Sequence, residues 1–372
     1  MFVMDELADS AAVQGHDVIK LTIGISELPV PKQVRRVFAD RVDDLAATRL
    51  VYPQGLPELR SAISHYYHEH YGAPSDPSQI VINVGTSSIF RNLFQLTCKP
   101  GQKILLPRPY YCLYLLSAIL AGGEIAYYEI DPDTMQVDLE SFRKAYTPDD
   151  TAVVVLNSPG NPLGNVLSRE AVEEINEIVA GRSFIVHDEI YNNVVFEGQY
   201  RCPLAYLDRH HDVHIVTNSF SKGFRMYTKR IGYAILPEPL IMPMRIVQQH
   251  TLLTCDPVAQ MGMIEALRDS DSPRELTALY AARARYTVER LTNTGCRPIE
   301  PEGGFYAVLD CTDWIRRRGM DGSKELARDI LAMVNVSTVP GTDFGMPDAL
   351  RLSFCQSRYD EGIDRLRDYF TS

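Results

Sequence analysis

Between about residue 78 and residue 236, short apolar runs alternate with helix-length amphipathic segments, and this alternation constrains the fold most strongly. The segments between the runs begin after Ser87, after Tyr111 and after Asp138, and one extends from Ser168 to Val179. The apolar runs read QIVINV, KILLP, EIAYYEI, AVVVLN, FIVHDE, VHIVTNS and IGYAIL. Continuous apolar runs separated by helices indicate a mainly parallel sheet covered on both faces. We therefore predict an α/β domain.

After about residue 237 the pattern changes to that of a smaller α+β domain. The helical stretch PRELTALYAARARYTVERLTNT leads into PEGGFYAVLD, a second helix from Lys324 and the apolar run VSTVP. We expect a large α/β domain over residues 32–260, and a small α+β domain formed by residues 1–31 and 261–372. Because no linker separates these parts, the two domains should pack closely and leave a cleft.

The charge of the chain argues against two classes of partner. Its 372 residues carry a formal net charge of −11, and a surface this acidic repels phosphate backbones and anionic lipid. We therefore expect neither nucleic acid nor membrane as a partner. The longest mostly apolar stretch, residues 114–122, is far shorter than the roughly 20 residues that a membrane span needs. The first residues, MFVMDELADS, lack the basic start of a secretory signal, so a cytoplasmic location is expected.

Cysteine and histidine spacing predicts no metal site. The seven cysteines are scattered singly without a CxxC pair, which argues against a zinc site and against a disulfide framework. We interpret them as free thiols of a reducing compartment. His65, His68 and His70 lie in HYYHEH, where the i, i+3 spacing could place two histidines on one metal. No further ligand is in view beside that pair, so the three histidines are expected on a helix surface.

Polar residues follow the ends of five predicted strands, where ligands of open α/β sheets bind. These groups are Gly85-Thr86-Ser87, Tyr110-Tyr111, the loop NSPGNPLG, residues 188–191 reading DEIY, and SFSK ending at Lys222 with Arg230 beyond it. Singly, each has an ordinary explanation, such as helix capping for Gly85-Thr86-Ser87 or a surface position for Lys222. Together they suit a phosphorylated pyridine aldehyde, which needs an amine, an acid for its ring nitrogen and a phosphate cradle.

The chain resembles the class I/II aminotransferase family, the type I fold of pyridoxal-phosphate enzymes, from about Asp17 to its C-terminus. The motifs that carry the resemblance are YPQGLPELR, NSPGNPLG, HDEIY, SFSK followed by an arginine, and RLSF. The resemblance implies the fold of that family, a large domain with a mainly parallel sheet covered by helices plus a smaller α+β domain. It also implies pyridoxal 5'-phosphate as the cofactor.

The resemblance assigns the catalytic roles to Lys222, Asp188 and Tyr191. Lys222 holds the cofactor as an imine and later moves a proton between the substrate and the cofactor. Asp188 pairs with the protonated pyridine nitrogen. Tyr191 and Asn161 hydrogen-bond the phenolate oxygen of the ring.

The remaining implied roles concern the ring face, the phosphate and the substrate. Tyr111 stacks on the ring, and the phosphate is held by Gly85, Thr86, Ser87, Ser219 and Arg230. Arg351 in RLSF resembles the arginine that grips the substrate α-carboxylate, aided by Gly24 and Asn161. By the same analogy Tyr52 reaches the phosphate of a neighbouring subunit, and this shared site predicts a homodimer.

The function implied is transfer of an amino group between an L-amino acid and a 2-oxo acid by a ping-pong route. Leu163 stands where the family often has threonine, and Glu27 lies in a segment that differs from the frequent pattern. These departures keep open another outcome at the same site, namely elimination like that of aminocyclopropane-carboxylate synthases or C–S lyases, or oxidation in specialised metabolism. A non-catalytic, cofactor-binding regulator is a more remote alternative. The identity of the amino acid is not evident from the sequence.

Overall fold

The computed structural model of the chain describes residues 2–44, 49, 51–207 and 212–372. The α-helices are Phe2–Val13, Lys32–Arg41, Pro57–Tyr71, Gly85–Thr97, Cys112–Leu120, Leu139–Ala145, Arg169–Val179, Glu238–Thr251, Pro257–Leu267, Asp271–Leu291, Thr312–Arg318, Gly322–Val334 and Tyr359–Thr371. Short 3-10 helices are Pro77–Gln79, Pro203–Ala205, Tyr227–Lys229 and Gly341–Phe344. The strands are β1 (Ile19–Lys20), β2 (Ile80–Asn83), β3 (Lys103–Arg108), β4 (Glu124–Glu129), β5 (Thr151–Asn157), β6 (Phe184–Asp188), β7 (His214–Ser219), β8 (Gly232–Ile235), β9 (Arg297–Ile299), β10 (Tyr306–Asp310), β11 (Val336–Ser337), β12 (Val339–Pro340) and β13 (Ala349–Ser353).

The large sheet has the strand order β2-β8-β7-β6-β5-β3-β4, and each apolar run named above forms one of its strands. Strands β4, β3, β5, β6 and β7 run parallel, whereas β8 is antiparallel to both β7 and β2. Alternate side chains of β5 enter different cores: Val153 and Val155 pack with Phe90, and Val154 and Leu156 pack with Ile175. Burial on both faces explains why these strands are almost wholly apolar, and the predicted α/β fold is confirmed.

A second sheet is antiparallel, in the order β12-β13-β10-β9, and β1 pairs with β11 in parallel. Met4 and Ile19 share one core cluster with Leu350 and Ile363, so the N-terminal segment packs with the last third of the chain. The side chain of Ser337 also donates to the carbonyl of Met4. The division into domains at residues 32 and 260 stays a prediction.

The topology brings one end of several strands to the same edge of the large sheet. Strands β5, β6 and β7 end there side by side, with Asn157 paired to Asp188 across β5 and β6. Since β8 lies antiparallel between β7 and β2, strand β2 ends at this edge and β8 begins there. The edge therefore receives the start of helix Gly85–Thr97 and the residues before Gly232.

The remaining expectations concern thiols, histidines and membrane spans. All seven cysteines are free thiols in the structure. His70 stacks on Tyr66 with 4.1 Å between ring centroids, and the described residues contain no group of three or more side chains placed to bind a metal ion. Within the same ranges, none of the helices combines the length and apolarity that crossing a bilayer requires.

Candidate active site

A cavity at this edge of the sheet collects side chains from segments that are far apart in the chain. Its lining consists of Ile23, Gly24, Thr86, Ser87, Tyr111, Tyr114, Asn157, Asn161, Asp188, Ile190, Tyr191, Ser221, Lys222, Tyr227, Arg230, Tyr306 and Arg351. Most of the candidate residues from the sequence are among them. Gly85 and Ser219 lie next to lining residues instead, and Tyr52 lies on the surface with 41% of its area exposed.

Lys222 follows the end of β7 and directs its amine into the cavity. Its Nζ donates to the carbonyl oxygen of Gly24 at 2.7 Å. The ammonium lies 5.4 Å from the ring centroid of Tyr227 and 5.5 Å from that of Phe305. Aromatic faces and a backbone carbonyl thus hold the amine in one place.

Asp188 ends β6 and is 2% exposed. The hydroxyl of Tyr114 donates to its Oδ2 at 2.5 Å, and the Ile190 amide donates to Oδ1 at 3.3 Å. The Thr217 hydroxyl donates to the same Oδ1 at 3.4 Å. Burial nevertheless raises the pKa of Asp188 to about 6, because these hydrogen bonds offset only part of the desolvation. A nearby cation would favour the charged form of this carboxylate.

Glu189 was not singled out from the sequence, although it is the second buried carboxylate at this strand end. The hydroxyl of Tyr67 donates to its Oε2 at 3.0 Å, and Asn192 donates to the same atom at 3.4 Å. Burial raises the pKa of Glu189 to about 7. Adjacent side chains of a strand end point to opposite sides, so Glu189 faces a tyrosine cluster rather than the cavity.

Gly85, Arg230 and the start of helix Gly85–Thr97 lie together at one corner, where the sequence predicts a phosphate site. Gly85 has φ +66°, and a Cβ on it would lie 2.5 Å from Nη2 of Arg230. A Cβ on Gly232 would lie 2.6 Å from the carbonyl carbon of Gly85. Because the first amides of a helix have no partner within the helix, this crowded corner presents N–H groups and a guanidinium to an anion.

Substitution of Gly85 is expected to remove anion binding at this corner. Gly72 offers a matched control, since it has φ +62° and a Cβ added to it would meet nothing within 4 Å. Gly72→Ala should destabilise the fold by about 1 kcal/mol through backbone strain alone. Gly85→Ala should destabilise the fold by more than Gly72→Ala, because the added Cβ would also force the Arg230 side chain to move. Urea unfolding with and without inorganic phosphate measures both effects: phosphate should stabilise native enzyme and Gly72→Ala but not Gly85→Ala, and equal stabilisation of all three would contradict the assignment.

The two serines before Lys222 have different surroundings. The Oγ of Ser219 accepts from the amide of Ser221 at 3.2 Å, and Ser219 does not line the cavity. Ser221 does line it, and its buried Oγ has no hydrogen-bond partner among the residues that the structure describes. The family resemblance pointed to Ser219 alone, whereas the geometry brings Ser221 to the cavity.

Arg351 lies in the middle of β13 and is 1% exposed. Its Nη1 donates to Oδ1 of Asn161 at 3.1 Å, and its Nη2 donates to the carbonyl of Thr22 at 2.8 Å. The guanidinium carbon lies 3.9 Å from the ring centroid of Tyr306 and 4.6 Å from that of Phe344. A buried arginine held by an amide, a carbonyl and two rings keeps its positive charge available to the cavity.

Tyr306 lines the cavity, although no catalytic or binding role was assigned to it from the sequence. A Cβ on Gly24 would lie 2.2 Å from the Tyr306 hydroxyl and 3.0 Å from Nζ of Lys222, so the two groups approach the same point. The Tyr191 hydroxyl donates to that of Tyr306 at 3.4 Å. Burial alone raises the pKa of Tyr306, but the charges of Lys222 and Arg351 outweigh it and leave the pKa below its ordinary value. PEGGFY is recognisable in the sequence, but nothing local shows that its tyrosine meets Lys222.

Three further side chains of the cavity lining contact the candidate residues. Tyr114 holds Asp188, as described, and Asn157 shapes the loop NSPGNPLG. The Oδ1 of Asn157 accepts from the amide of Asn161 at 2.8 Å, while its Nδ2 donates to the carbonyl of Asp188 at 3.0 Å. The ring centroid of Tyr227 lies 5.4 Å from the ammonium of Lys222 and 5.4 Å from the guanidinium carbon of Arg230.

The two departures from the family pattern lie outside the cavity lining. Leu163 is 1% exposed and packs in a core cluster beside β5 and β6. Glu27 accepts a hydrogen bond from the amide of Ser357. Neither side chain therefore changes the chemistry of the cavity directly.

Comparison with known proteins agrees with this geometry. The family described as aminotransferase class I and II matches residues 16–369. The aspartate/prephenate aminotransferase of Thermus thermophilus is 31% identical over 350 residues, which cover 92% of this chain and 88% of that protein. The aspartate aminotransferase of Thermotoga maritima is 31% identical over 373 residues, which cover 99% of this chain and 96% of that protein. A crystal structure of an aspartate aminotransferase from Thermotoga maritima superposes with a TM-score of 0.91 at 28% identity, covering 100% of this chain and 96% of that chain. The chain therefore belongs to the class I and II aminotransferase family and is a transferase of amino groups.

Proposed function

We propose that the chain binds pyridoxal 5'-phosphate in this cavity and uses it to move an amino group between an L-amino acid and a 2-oxo acid by a ping-pong route. One observation carries the proposal. The amine of Lys222, the buried carboxylate of Asp188 and the guanidinium of Arg351 come from distant segments and line the same cavity.

The residues present fit this cofactor. Nδ2 of Asn161 is a buried donor in the cavity lining without a hydrogen-bond partner in the described part of the chain, so it suits an acceptor oxygen on the ring. Asp188 is a buried carboxylate whose raised pKa a pyridinium charge would lower. Gly85 and Arg230 form an anion corner that a Cβ on Gly85 would fill. The cavity thus offers a partner for each polar group of the cofactor.

When bound, the cofactor supplies an aldehyde that combines with amines and a pyridinium ring that accepts an electron pair from the α-carbon. Lys222 would hold the cofactor through its amine, and the same amine, once released, would carry a proton between the substrate α-carbon and the aldehyde carbon of the cofactor. Asp188 would hold the proton on the ring nitrogen. Tyr191 and Asn161 would donate to the ring oxygen, and Tyr111 would cover the ring face.

Substrate recognition is assigned to Arg351. Its stacking on Tyr306 and its hydrogen bonds to Asn161 and Thr22 fix the plane of the guanidinium. A planar fork in a fixed orientation matches a carboxylate with two parallel hydrogen bonds. Because Tyr306 approaches both Arg351 and Lys222, a carboxylate bound by Arg351 would leave the substrate amine on the side of the lysine.

A homodimer with shared active sites completes the proposal. Tyr52 is exposed outside the cavity of its own chain, as expected of a residue that serves a neighbouring subunit. Helices Cys112–Leu120 and Glu238–Thr251 both contact helix Gly85–Thr97. They expose a set of large apolar side chains: Leu116, Ile119, Leu120, Met242 and Ile246. Apolar exposure of this kind is typical of subunit interfaces, and the free thiols are compatible with a cytoplasmic enzyme.

Arg351→Lys is expected to raise the apparent KM for the amino acid by about 100-fold, since lysine provides a point charge where arginine provides a bidentate fork. Cofactor affinity should change little. Arg297→Lys is the matched control, because Arg297 forms ion pairs with Asp133 and Asp310 away from the cavity. Steady-state kinetics together with cofactor titration decide the assignment, and an unchanged KM in Arg351→Lys would remove Arg351 from substrate binding.

The proposed function is tested by a spectrophotometric screen of the twenty amino acids. A donor should convert the enzyme-bound cofactor to its amine form and release an equal amount of 2-oxo acid, and a second 2-oxo acid should reverse the change. Release of ammonia or a thiol without that conversion would indicate elimination instead. Equal efficiency for an amino acid and its decarboxylated amine would contradict recognition of the α-carboxylate.

A further inference from the structure

Two cysteines face each other just beyond the last pairing of β9 with β10. In this antiparallel pair Arg297 lies opposite Asp310. One step further out, the same register places Cys296 opposite Cys311. Both thiols are free and buried in the same core cluster.

The position of the pair within the ladder brings the two side chains close together. The amide of Cys311 donates to the carbonyl of Asp348, on the β13 side, at 2.9 Å. In an antiparallel sheet, the N–H and C=O groups of one residue point to the same neighbouring strand. Since the N–H of Cys311 points to β13, its backbone makes no hydrogen bond to Cys296 on the other side. The two cysteines therefore form a non-hydrogen-bonded pair. Pro298, which has no N–H, occupies the same kind of position opposite Leu309. Opposite Cα atoms at such positions are about 4.5 Å apart, within the range of about 4.4–6.8 Å that a disulfide spans.

Side-chain contacts distinguish the two sulfurs. The thiol of Cys311 donates to the carbonyl of Leu309 at 3.5 Å, and the Thr294 hydroxyl lies 3.5 Å from the sulfur of Cys296. The neighbouring Cys311 thiol lowers the pKa of Cys296, with a further contribution from Thr294. Burial raises the pKa of Cys311. Cys296 is 7% exposed and Cys311 is 0% exposed, so the sulfur that ionises more readily is also the one nearer to solvent.

We propose that Cys296 and Cys311 form a site of reversible oxidation, at which a two-electron oxidant of the peroxide class joins the two sulfurs. The thiolate of Cys296 attacks one oxygen of hydrogen peroxide, the O–O bond breaks, and the departing hydroxide takes a proton to become water. The sulfur of Cys311 then attacks the sulfur of Cys296. The S–O bond breaks, and the leaving hydroxyl group takes the thiol proton of Cys311 to become the second water. Two thiols are oxidised to one disulfide, and one peroxide is reduced to two waters.

The location of the bond indicates what it changes. It would link the segment after helix Asp271–Leu291 to the start of helix Thr312–Arg318. Such a link restricts the unfolded chain and should raise the thermal midpoint. Tyr306, which reaches the cavity, lies at the opposite end of β10, so turnover should be retained.

The test uses the holoenzyme, treated with equimolar hydrogen peroxide under native conditions, then alkylated and mapped by mass spectrometry. The expected result is a linked peptide pair containing Cys296 and Cys311, with the other five of the seven cysteines alkylated. Reduction with dithiothreitol should restore seven alkylated cysteines. Cys311→Ser should form no link and should leave a sulfenic acid on Cys296 that dimedone traps. Cys112→Ser, which removes a single partly buried thiol, should keep the link.

Three results would overturn the proposal. These are seven unmodified thiols in the treated native enzyme, a link between any other pair, or a link that forms only in denaturant. The mapping of the native chain needs no variant, so a failure of Cys311→Ser to fold leaves the outcome decisive.

Discussion

Lys222→Ala is expected to abolish amino transfer, with a loss of about 10⁴-fold or more in kcat/KM. The substitution removes both the amine that holds the cofactor and the base that moves the α-proton. Borohydride should fix the cofactor covalently to native enzyme and leave the variant unmodified in mass. The expectation rests on the geometry of Nζ, which the carbonyl of Gly24 holds in the cavity at 2.7 Å.

Lys229→Ala is the control for this experiment. Its ammonium lies 4.4 Å from the ring centroid of Phe38, outside the cavity lining. This variant should keep near-native turnover and borohydride labelling. A reducible covalent link in Lys222→Ala would show that another amine holds the cofactor.

Asp188→Asn is expected to lose at least about 3 kcal/mol of transition-state stabilisation, on the order of 10²-fold in kcat/KM. The amide keeps the volume of the side chain but cannot supply the negative charge that holds a proton on the ring nitrogen. Glu189→Gln is the matched control, because Glu189 is equally buried but faces the tyrosines. Near-native kcat/KM in Asp188→Asn, measured at saturating cofactor, would rule out the role.

The same pair of variants gives a pH signature in the cofactor-free enzyme. The pKa of Asp188 is raised from 3.8 to about 6, so the folded state binds more protons than the unfolded state between these values. Stability should therefore fall as pH rises from about 4 to about 6, by about 3 kcal/mol for this group. The pKa of Glu189 is raised from 4.5 to about 7, so this group adds a similar fall in stability over a partly overlapping pH range.

Urea unfolding at several pH values separates the two carboxylates. Asp188→Asn should remove the fall in stability at the lower pH values, and Glu189→Gln should remove the fall at the higher pH values. Bound cofactor should flatten the lower part only, since a pyridinium beside Asp188 lowers its pKa. An identical pH dependence in native enzyme and Asp188→Asn would mean that burial of Asp188 has no such cost.

The strands of the large sheet were predictable because burial on both faces leaves an unbroken apolar run for each. The strand-end residues Asp188 and Lys222 were predictable because the carboxyl ends of parallel strands meet at one edge of the sheet. Arg351 lies instead within the antiparallel strand β13, and its assignment came from the RLSF motif of the resemblance. All three side chains line one cavity. The roles assigned to them stay predictions until the variants are measured.

Tyr306 and Glu189 show why other site features were not predictable. The approach of Tyr306 to Lys222 depends on how the antiparallel sheet packs against the parallel one, and no local pattern encodes that distance. The direction of Glu189 depends on the last residues of β6, where one position decides between cavity and core. Tyr52 shows a third reason, because its predicted partner belongs to another copy of the chain.

The short backbone segment around Thr22 and Gly24 has a consequence for turnover. Its carbonyl oxygens accept hydrogen bonds from Arg351 and from Lys222. These oxygens occupy the two groups that are proposed to bind the cofactor aldehyde and the substrate carboxylate, so both side chains are oriented before either ligand arrives. Under that proposal, binding of the cofactor frees the carbonyl of Gly24, and binding of the amino acid exchanges an oxygen acceptor of Arg351 for a carboxylate oxygen. Neither event has to order a mobile side chain, so the cost in conformational entropy should be small.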